Sequence, residues 1–242
     1  MRGERLGNRF PKWLWLEHLA RYYFASNFVE GKVVVDCACG CGIGSRIFLE
    51  RKCLKLKAFD VSGKAIEKAK KNCKDFSNAE FLVSDATSLP VEDGSADVFI
   101  SLETIEHIWE DNKFIREIAR ILKEDGNFIC STPNREISNP NSRLNDKPWN
   151  EFHVREYGES DFRLVLERYF EAVDIYGLNR ISDLEARLLK SVIRKIIGGY
   201  LWANLIKFFK IFLDKIDNYK IERINGSMRY EYLIAVCKRP IR

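Results

Sequence analysis

The sequence predicts an α/β fold in which a mostly parallel sheet carries helices on both faces. Short runs rich in β-branched residues alternate along the chain with stretches whose apolar residues recur at helical spacing. Because a strand followed by a helix usually leads to a parallel strand, this alternation indicates a layered α/β domain. The composition, 46% hydrophobic and 31% charged, and the length of 242 residues suit one sizeable core. We therefore expect a single domain over residues 1–242.

The predicted elements begin with a helix in the N-terminal segment 1–31, where PKWLWLEHLARYYFASNFV has apolar residues at helical spacing. Seven later runs are apolar and β-branched over the length of a strand. They are, in order, KVVVDCA, LKLKAFDV, AEFLVSDA, DVFISL, NFICSTP, EAVDIYGL and YEYLIAVCKR. The helices between them have an apolar stripe among charged residues. They are SRIFLERK, GKAIEKAKKNCKDF, WEDNKFIREIARILKEDG and SDFRLVLERYF.

Basic residues are concentrated in a predicted helical insertion over residues 180–225, before the last strand. The stretch from Arg187 to Arg223 contains nine lysines and arginines and three acids. Its net charge is +6, whereas the whole chain carries +5. Its apolar residues recur every three to four positions, which predicts an amphipathic helix. Its longest uncharged run is far shorter than the roughly 20 residues that span a bilayer. Three roles remain open for residues 190–220: a lid, a dimer surface, or a helix that contacts anionic lipid.

The cysteines and the N-terminus predict a reducing compartment. Seven cysteines are an odd number in a chain that needs no disulfide staples, so free thiols are expected. The series Cys37, Cys39 and Cys41 lacks the paired spacing of a zinc site. Glu17 and Arg21 interrupt the first apolar run, which argues against a signal peptide. We expect a cytoplasmic protein, with peripheral contact to a membrane as an open alternative.

The stretch VVVDCACGCGIGS, residues 33–45, predicts a ligand-binding turn. A strand ending in an acid runs into a glycine loop before a helix, so the backbone can turn tightly against a ligand. A dinucleotide site would need a third glycine where Ser45 stands. The order Asp36, Ala38, Gly40 and Gly42 resembles the first motif of the class I S-adenosylmethionine (SAM) methyltransferases. Ala38 stands where glycine is usual in that family.

Further motifs extend this resemblance over residues 14–178. Asp60 ends the second strand, SDATSLP carries Asp85 and Ala86, and GNFICSTPN resembles the fifth-strand motif. The family fold implied is a Rossmann-like, seven-stranded, mostly parallel sheet, with an antiparallel last strand and a helical insertion before it. The resemblance places Asp36 near the amino-acid end of SAM, Asp60 on the ribose hydroxyls, and Asp85 with Ala86 beside the adenine.

The resemblance also names the candidate cofactor contacts. They are Asp36, Ala38, Cys39, Gly40, Gly42, Asp60, Val61, Asp85, Ala86, Leu102 and Glu103. In a related group of glycan and cell-envelope methyltransferases the first helix resembles EHLARYYFA. That similarity implies that Arg21 or Tyr22 closes over the methionine end of SAM.

The acceptor site is expected in SLETIEHIWED, directly after the fourth strand. Glu103, Glu106 and His107 resemble residues of the ubiquinone-biosynthesis O-methyltransferases and of small-RNA 2′-O-methyltransferases. That resemblance, with His153 later in the chain, implies Mg²⁺ or Mn²⁺ on Glu103, Glu106, His107 and His153. The metal-free alternative makes His107 or His153 the base, with Glu106 beside it. A structural role for either histidine also remains open, and His18 is expected only to pack.

The predicted function is therefore methyl transfer from SAM to an oxygen or nitrogen of a small molecule. The chain resembles the type 11 and ubiquinone-biosynthesis methyltransferases, and a glycan or lipid-linked acceptor is favoured. One alternative is an RNA 2′-O-methyltransferase that uses a divalent metal, although the sequence has no aromatic and basic recognition motif. Another is a SAM-binding scaffold without turnover. No oligomeric state is predicted.

Overall fold

The computed structural model describes residues 12–181, 219–224 and 229–241. Within these residues eight strands form one sheet. The strands are β1 Val33–Cys37, β2 Lys55–Asp60, β3 Ala79–Val83, β4 Ala96–Leu102, β5 Leu122–Pro133, β6 Phe170–Ile181, β7 Ile221–Arg223 and β8 Arg229–Pro240. Their order across the sheet is β3-β2-β1-β4-β5-β8-β6-β7.

Helices connect the parallel strands. They are α1 Lys12–Ala25, α2 Ile43–Glu50, α3 Gly63–Asn72, α4 Asp111–Ile121, α5 Arg135–Ser138 and α6 Glu159–Glu167. Two short 3-10 turns, Ser26–Phe28 and Ile105–His107, complete the described elements. No helix in the described part of the chain combines the length and the apolar character needed to cross a bilayer.

The strand directions confirm the predicted mixed sheet. Strands β1 to β5 pair in parallel, whereas β8 lies antiparallel to both β5 and β6. The sheet has eight strands rather than seven, because Ile221–Arg223 pairs antiparallel with Tyr176–Leu178 at the edge. This short strand falls inside the segment predicted to be helical. The first two residues of that segment, Arg180 and Ile181, belong to β6, and residues 182–218 and 225 lie outside the described residues.

Two apolar cores occupy the two faces of the sheet. Neighbouring strand residues alternate between them, as Val34 and Val35 do in β1. Helices α4 and α6 cover one face, and α1, α2 and α3 cover the other. On the α4 side, the rings of Phe128 and Phe170 stack with centroids 5.7 Å apart. Burial of each such ring stabilises the fold by about 1.5–3 kcal/mol. Helices on both faces were predicted and are confirmed.

The helix before β5 ends earlier than the periodicity predicts. Helix α4 stops at Ile121, because Leu122 pairs with Ala96 on β4. A bulge follows before Asn127 pairs with Val98. The apolar spacing up to Leu122 suits either element, so strand pairing decides the boundary.

Helix α1 lies close to the start of α2, above the loop that follows β1. A Cβ atom on Gly44 would come within 2.4 Å of the Tyr22 ring, so only glycine permits this approach. The carboxyl ends of the parallel strands meet beneath α1. The fold therefore brings Arg21 and Tyr22 to the edge of the sheet where the predicted motif residues lie.

Candidate active site

The loop after β1 turns through three residues with left-handed backbone. Ala38, Gly40 and Gly42 have φ of 62°, 55° and 80°. Hydrogen bonds fix the turn: the Cys39 N–H donates to the Phe59 carbonyl at 2.9 Å, and the Gly42 N–H donates to the Cys39 carbonyl at 3.0 Å. Glycine adopts this conformation freely, whereas Ala38 is strained in it.

Asp36 is a buried acid beside this loop. Its side chain is 4% exposed, and the Ser45 hydroxyl donates to its Oδ2 at 2.5 Å. Burial raises the pKa of Asp36 to about 7, against the lowering effect of Ser45, and the nearby Asp60 raises it further. A desolvated carboxylate of this kind gains most from a cationic partner.

Asp60 joins the end of β2 to the glycine loop. Its Oδ2 accepts from the Gly40 N–H at 3.0 Å and its Oδ1 accepts from the Ser62 N–H at 2.8 Å. Each carboxylate oxygen can accept a second hydrogen bond. The next side chain, Val61, is 61% exposed and offers apolar surface at the same edge.

The motif after β3 is more open. Asp85 is exposed and accepts from the Thr87 N–H at 2.8 Å and from the Thr87 hydroxyl at 2.7 Å. These hydrogen bonds lower the pKa of Asp85. Ala86 is half-buried. The structure therefore gives Asp85 a turn-stabilising role, and its predicted place beside an adenine stays a prediction.

Arg21 reaches the site from α1 and is 1% exposed. Its guanidinium carbon lies 4.4 Å from the centre of the Tyr232 ring, and its Nε lies 3.9 Å from Oε1 of Glu103. Among the described residues its three side-chain nitrogens have no hydrogen-bond acceptor. Buried donors are almost always paired, so this guanidinium is suited to an anionic ligand group.

Tyr22 lies between these two charged groups. Burial raises the pKa of Tyr22, Asp36 raises it further, and Arg21 opposes both effects. The site therefore offers a buried acid and a buried guanidinium around one tyrosine. The neighbouring His18, 6.4 Å from Tyr22 between ring centres, has its pKa lowered to about 2, mainly by burial.

Sequence patterns did not reveal the polar group that supports Arg21. The Tyr232 hydroxyl donates to Glu17 at 2.9 Å, and the Asn179 amide donates to Glu17 at 2.6 Å and to Glu231 at 3.0 Å. These residues come from α1, β6 and β8. The local signal is Glu17, an acid that follows the apolar run Trp13–Leu16 in α1 and that the structure buries.

Glu103 follows Leu102 at the end of β4 with a left-handed φ of 54°. Its N–H donates to the Ser131 carbonyl at 3.0 Å, and its Oε1 accepts from the Ser131 hydroxyl at 2.7 Å. The strained backbone turns the Glu103 carboxylate toward Arg21 and Ser131.

Glu106, His107 and His153 come together one turn later, with one ligand atom from each within 4.8 Å of the others. Glu103 is not part of this group, which differs from the predicted four-residue metal set. Glu106 is 1% exposed and accepts from the Thr132 hydroxyl at 3.2 Å. Burial raises the pKa of Glu106 well above its usual value, and Glu103 adds to that effect.

Both histidines of this group are hydrogen-bonded through Nδ1. His107 Nδ1 lies 2.8 Å from the Phe152 carbonyl, and His153 Nδ1 lies 2.7 Å from Oε1 of Glu156. His153 Nε2 lies 3.0 Å from the Asn150 amide nitrogen. A metal ion would have to displace Asn150 before His153 could ligate it, so the donor set does not fit a metal as it stands.

Comparison with known proteins agrees with this geometry. Residues 35–130 match a family model described as a methyltransferase domain. A probable SAM-dependent methyltransferase of Mycobacterium tuberculosis is 29% identical over 179 residues, which cover 70% of this chain and 62% of the relative. Residues 35–130 carry a methyltransferase domain of the SAM-dependent type. The chain spans less than two thirds of the length of that relative.

Other relatives of this methyltransferase differ in their named acceptors. Ajmaline N-methyltransferase of Rauvolfia serpentina is 32% identical over 69% of this chain and 62% of the relative. Tocopherol O-methyltransferase of Arabidopsis thaliana is 31% identical over 49% of this chain and 34% of the relative. Among solved structures, a SAM-dependent methyltransferase of Thermotoga maritima aligns with a TM-score of 0.61 and 14% identity, covering 94% and 93% of the two chains. That likeness supports the fold.

The left-handed Ala38 generates a prediction about stability. Replacing Ala38 with glycine removes the steric cost of this conformation but adds freedom to the unfolded chain, so we expect a net stabilisation of about 0.5–1 kcal/mol. Urea unfolding of the two proteins measures it. Ala119→Gly, in helix α4, is the matched control and should instead destabilise by at least about 1 kcal/mol. An Ala38→Gly protein that is no more stable than wild type would contradict a strained Ala38.

Proposed function

We propose that this methyltransferase transfers the methyl group of SAM to an oxygen or nitrogen of a small-molecule acceptor. The observation that carries the proposal is the pair of buried charges around Tyr22. The guanidinium of Arg21, whose nitrogens have no hydrogen-bond acceptor among the described residues, suits the carboxylate of an amino acid, and the desolvated Asp36 suits its ammonium. An amino-acid group carries both of the charges that these two side chains complement.

The remainder of the cofactor would lie along the same sheet edge. Asp60 places a carboxylate at the end of β2 that suits the ribose hydroxyls, and exposed Val61 offers an apolar surface for one face of the adenine. The backbone from Ala38 to Gly42 would lie against the methionine part. Bound SAM supplies an activated methyl group on a sulfonium, so the protein has mainly to align the acceptor and exclude water.

His107 is the residue proposed to take the acceptor's proton. With Nδ1 bonded to the Phe152 carbonyl, Nε2 is the ring atom that can accept a proton from a hydroxyl or an ammonium. The new bond joins the acceptor atom to the methyl carbon while the carbon–sulfur bond breaks, and the released proton goes to His107 Nε2. Buried Glu106 lies beside the ring; its pKa is raised, and an imidazolium at His107 would favour the ionised form of its carboxyl.

Exposed aromatic side chains favour an apolar acceptor. Trp109, two residues after His107, is largely exposed, as are Trp149 and Phe152 in the segment that contacts His107. Large exposed rings beside a reactive group suit a ligand with a ring or a lipid chain. We therefore favour a glycan or lipid-linked acceptor. Cytoplasmic location, and membrane contact through residues 190–220, remain predictions.

Label transfer tests the proposed activity. Purified protein would be incubated with cell extract and SAM labelled in its methyl group, and the extract would then be separated into lipid, small-molecule and RNA fractions. We expect label in the lipid or small-molecule fraction. Label in RNA would support the RNA methyltransferase alternative. Retention of SAM with no label in any fraction would support a non-catalytic scaffold.

Replacing His107 with alanine tests the base. The rate of label transfer should fall about 10²- to 10⁴-fold, because a general base contributes this much, while the Kd for SAM changes little. Isothermal titration measures the Kd. Lys113→Ala, an exposed change on α4, is the control and should behave as wild type. Unchanged turnover in His107→Ala would remove His107 from the mechanism.

The raised pKa of Asp36 predicts how SAM binding depends on pH. A bound ammonium needs the carboxylate form, so binding should release a proton and tighten as the pH rises from about 6 to about 7.5. In the free protein the raised pKa of Asp36 also makes folding stability depend on pH. Its contribution to stability is fully present below 3.8, the ordinary pKa, and is lost as the pH rises through about 7. Asp36→Asn should abolish the pH dependence of binding, whereas Asp125→Asn, an exposed control, should keep it. Affinity that is flat with pH in wild type would contradict the role of Asp36.

Titration with Mn²⁺ separates the metal alternative from the metal-free mechanism. Since Asn150 and Glu156 occupy both ring nitrogens of His153, we expect no stoichiometric Mn²⁺ binding and no effect of chelators on label transfer. One equivalent of Mn²⁺ bound by wild type and lost in His107→Ala would establish the metal site instead.

A further inference from the structure

A continuous series of hydrogen bonds links helix α5 to the ring of His107. It passes through the segment between α5 and α6 that also carries His153. The five contacts are Ser138 Oγ to Glu156 Oε2 at 2.7 Å, Glu156 Oε1 to His153 Nδ1 at 2.7 Å, His153 Nε2 to Asn150 Nδ2 at 3.0 Å, Asn150 Oδ1 to the Phe152 N–H at 3.0 Å, and the Phe152 carbonyl to His107 Nδ1 at 2.8 Å. We call it the Ser138–His107 series.

Backbone groups determine the direction of every bond in this series. The Phe152 N–H can only donate, so the oxygen of the Asn150 amide must face it. The amide NH₂ of Asn150 therefore faces His153 and donates to Nε2. With Nε2 as acceptor, the ring proton of neutral His153 sits on Nδ1 and is donated to the Glu156 carboxylate.

The same reasoning shows which ring nitrogen of neutral His107 carries the hydrogen. The Phe152 carbonyl can only accept, so His107 Nδ1 must carry a hydrogen. Neutral His107 is then the Nδ1–H tautomer, and Nε2 holds the lone pair. This is the tautomer that the proposed proton transfer needs.

We propose that Glu156 and His153 are positioning residues that hold His107 in its Nδ1–H tautomer. This inference rests on the proposed function, because the Nδ1–H tautomer is needed only if His107 Nε2 takes the acceptor's proton. His153 already uses both ring nitrogens, so its part is to hold the segment whose Phe152 carbonyl meets His107. The rings of His107 and His153 also pack edge to face, with centroids 4.9 Å apart.

Burial makes the Glu156–His153 contact hard to replace by water. Glu156 is 3% exposed and the His153 side chain is 7% exposed. Loss of the carboxylate would leave His153 Nδ1 without an acceptor in a dry place. The ring would then turn or change tautomer, and the Asn150 and Phe152 contacts would follow.

Other contacts hold the rest of this segment, so a change at Glu156 should act locally. The Val154 N–H donates to the Glu106 carbonyl at 2.8 Å, and the Tyr157 hydroxyl donates to Asp111 at 2.6 Å. Arg155 pairs with the same carboxylate of Asp111. These anchors do not pass through Glu156, and they keep the segment attached when the series is cut.

The test is the tautomer of each histidine, measured by long-range ¹H–¹⁵N NMR of the full chain with SAM. The sequence has only three histidines, which makes assignment by single replacement practical. In wild type we expect His107 and His153 both as Nδ1–H. In Glu156→Ala we expect His107 to lose this preference, and label transfer to fall at least about tenfold with the Kd for SAM within about twofold of wild type.

Two further variants keep the test decisive. Glu156→Gln retains an oxygen that can accept from His153 Nδ1, so it should restore the Nδ1–H tautomer of His107 and most of the lost rate. Glu151→Gln, an exposed change in the same segment, should match wild type. Should Glu156→Ala fail to fold, Ser138→Ala cuts the series one step earlier and should give a smaller shift in the same direction.

The inference is overturned if His107 is Nε2–H in wild type, or stays Nδ1–H in Glu156→Ala and Ser138→Ala. These outcomes are distinct from failure of the proposed function. Protein that holds the Nδ1–H tautomers without SAM but neither binds SAM nor transfers label would keep the series and lose the function. Protein that transfers label with the opposite tautomer would keep the function and lose the inference.

Discussion

The site depends on keeping the Arg21 guanidinium dry without a direct hydrogen-bond acceptor. Taking such a charge out of water lowers the pKa of Arg21, but the acids and tyrosines around it raise the pKa by more, so the guanidinium stays charged. Glu103 lies 3.9 Å away, Tyr232 presents its ring face, and Glu17 is held close by Tyr232 and Asn179. The contact between Gly44 and Tyr22 keeps α1 in place over these groups. The fold thus leaves guanidinium N–H groups with no acceptor among the described residues, and an anionic ligand group could accept from them.

Two of the residues with left-handed backbone lie in turns on the same sheet edge. Ala38 follows β1 and Glu103 follows β4, and these strands are neighbours in the sheet. At each turn a left-handed residue redirects the chain just after a buried strand, so that backbone N–H groups or a carboxylate face the edge. Sheet pairing and the two cores hold the strands, and the turns can therefore remain in conformations that an isolated loop would leave.

The sheet could be predicted from the sequence because it depends on local periodicity, and the turn after β1 because Asp36, Asp60 and the glycines form a motif in fixed order. The remaining features join distant residues. Glu17 meets Asn179 and Arg21 meets Glu103 only after α1 has docked, and no local pattern encodes either pair. The same holds for Glu156 and Ser138 around His153, and for β7, which is too short to be recognised without its partner β6.

The strand order has a consequence for how the chain is made. Strand β8 lies between β5 and β6. Neither β5 nor β6 can complete its hydrogen bonds on that side until residues 229–240 have been synthesised. During synthesis the first five strands can pair as they emerge, whereas the half of the sheet under the acceptor residues remains open. The nascent protein would acquire the half of the sheet that carries Asp36 and Asp60 before the half formed by β5, β8 and β6, and the unpaired edges of these late strands are where a chaperone or a misfolded neighbour could bind first.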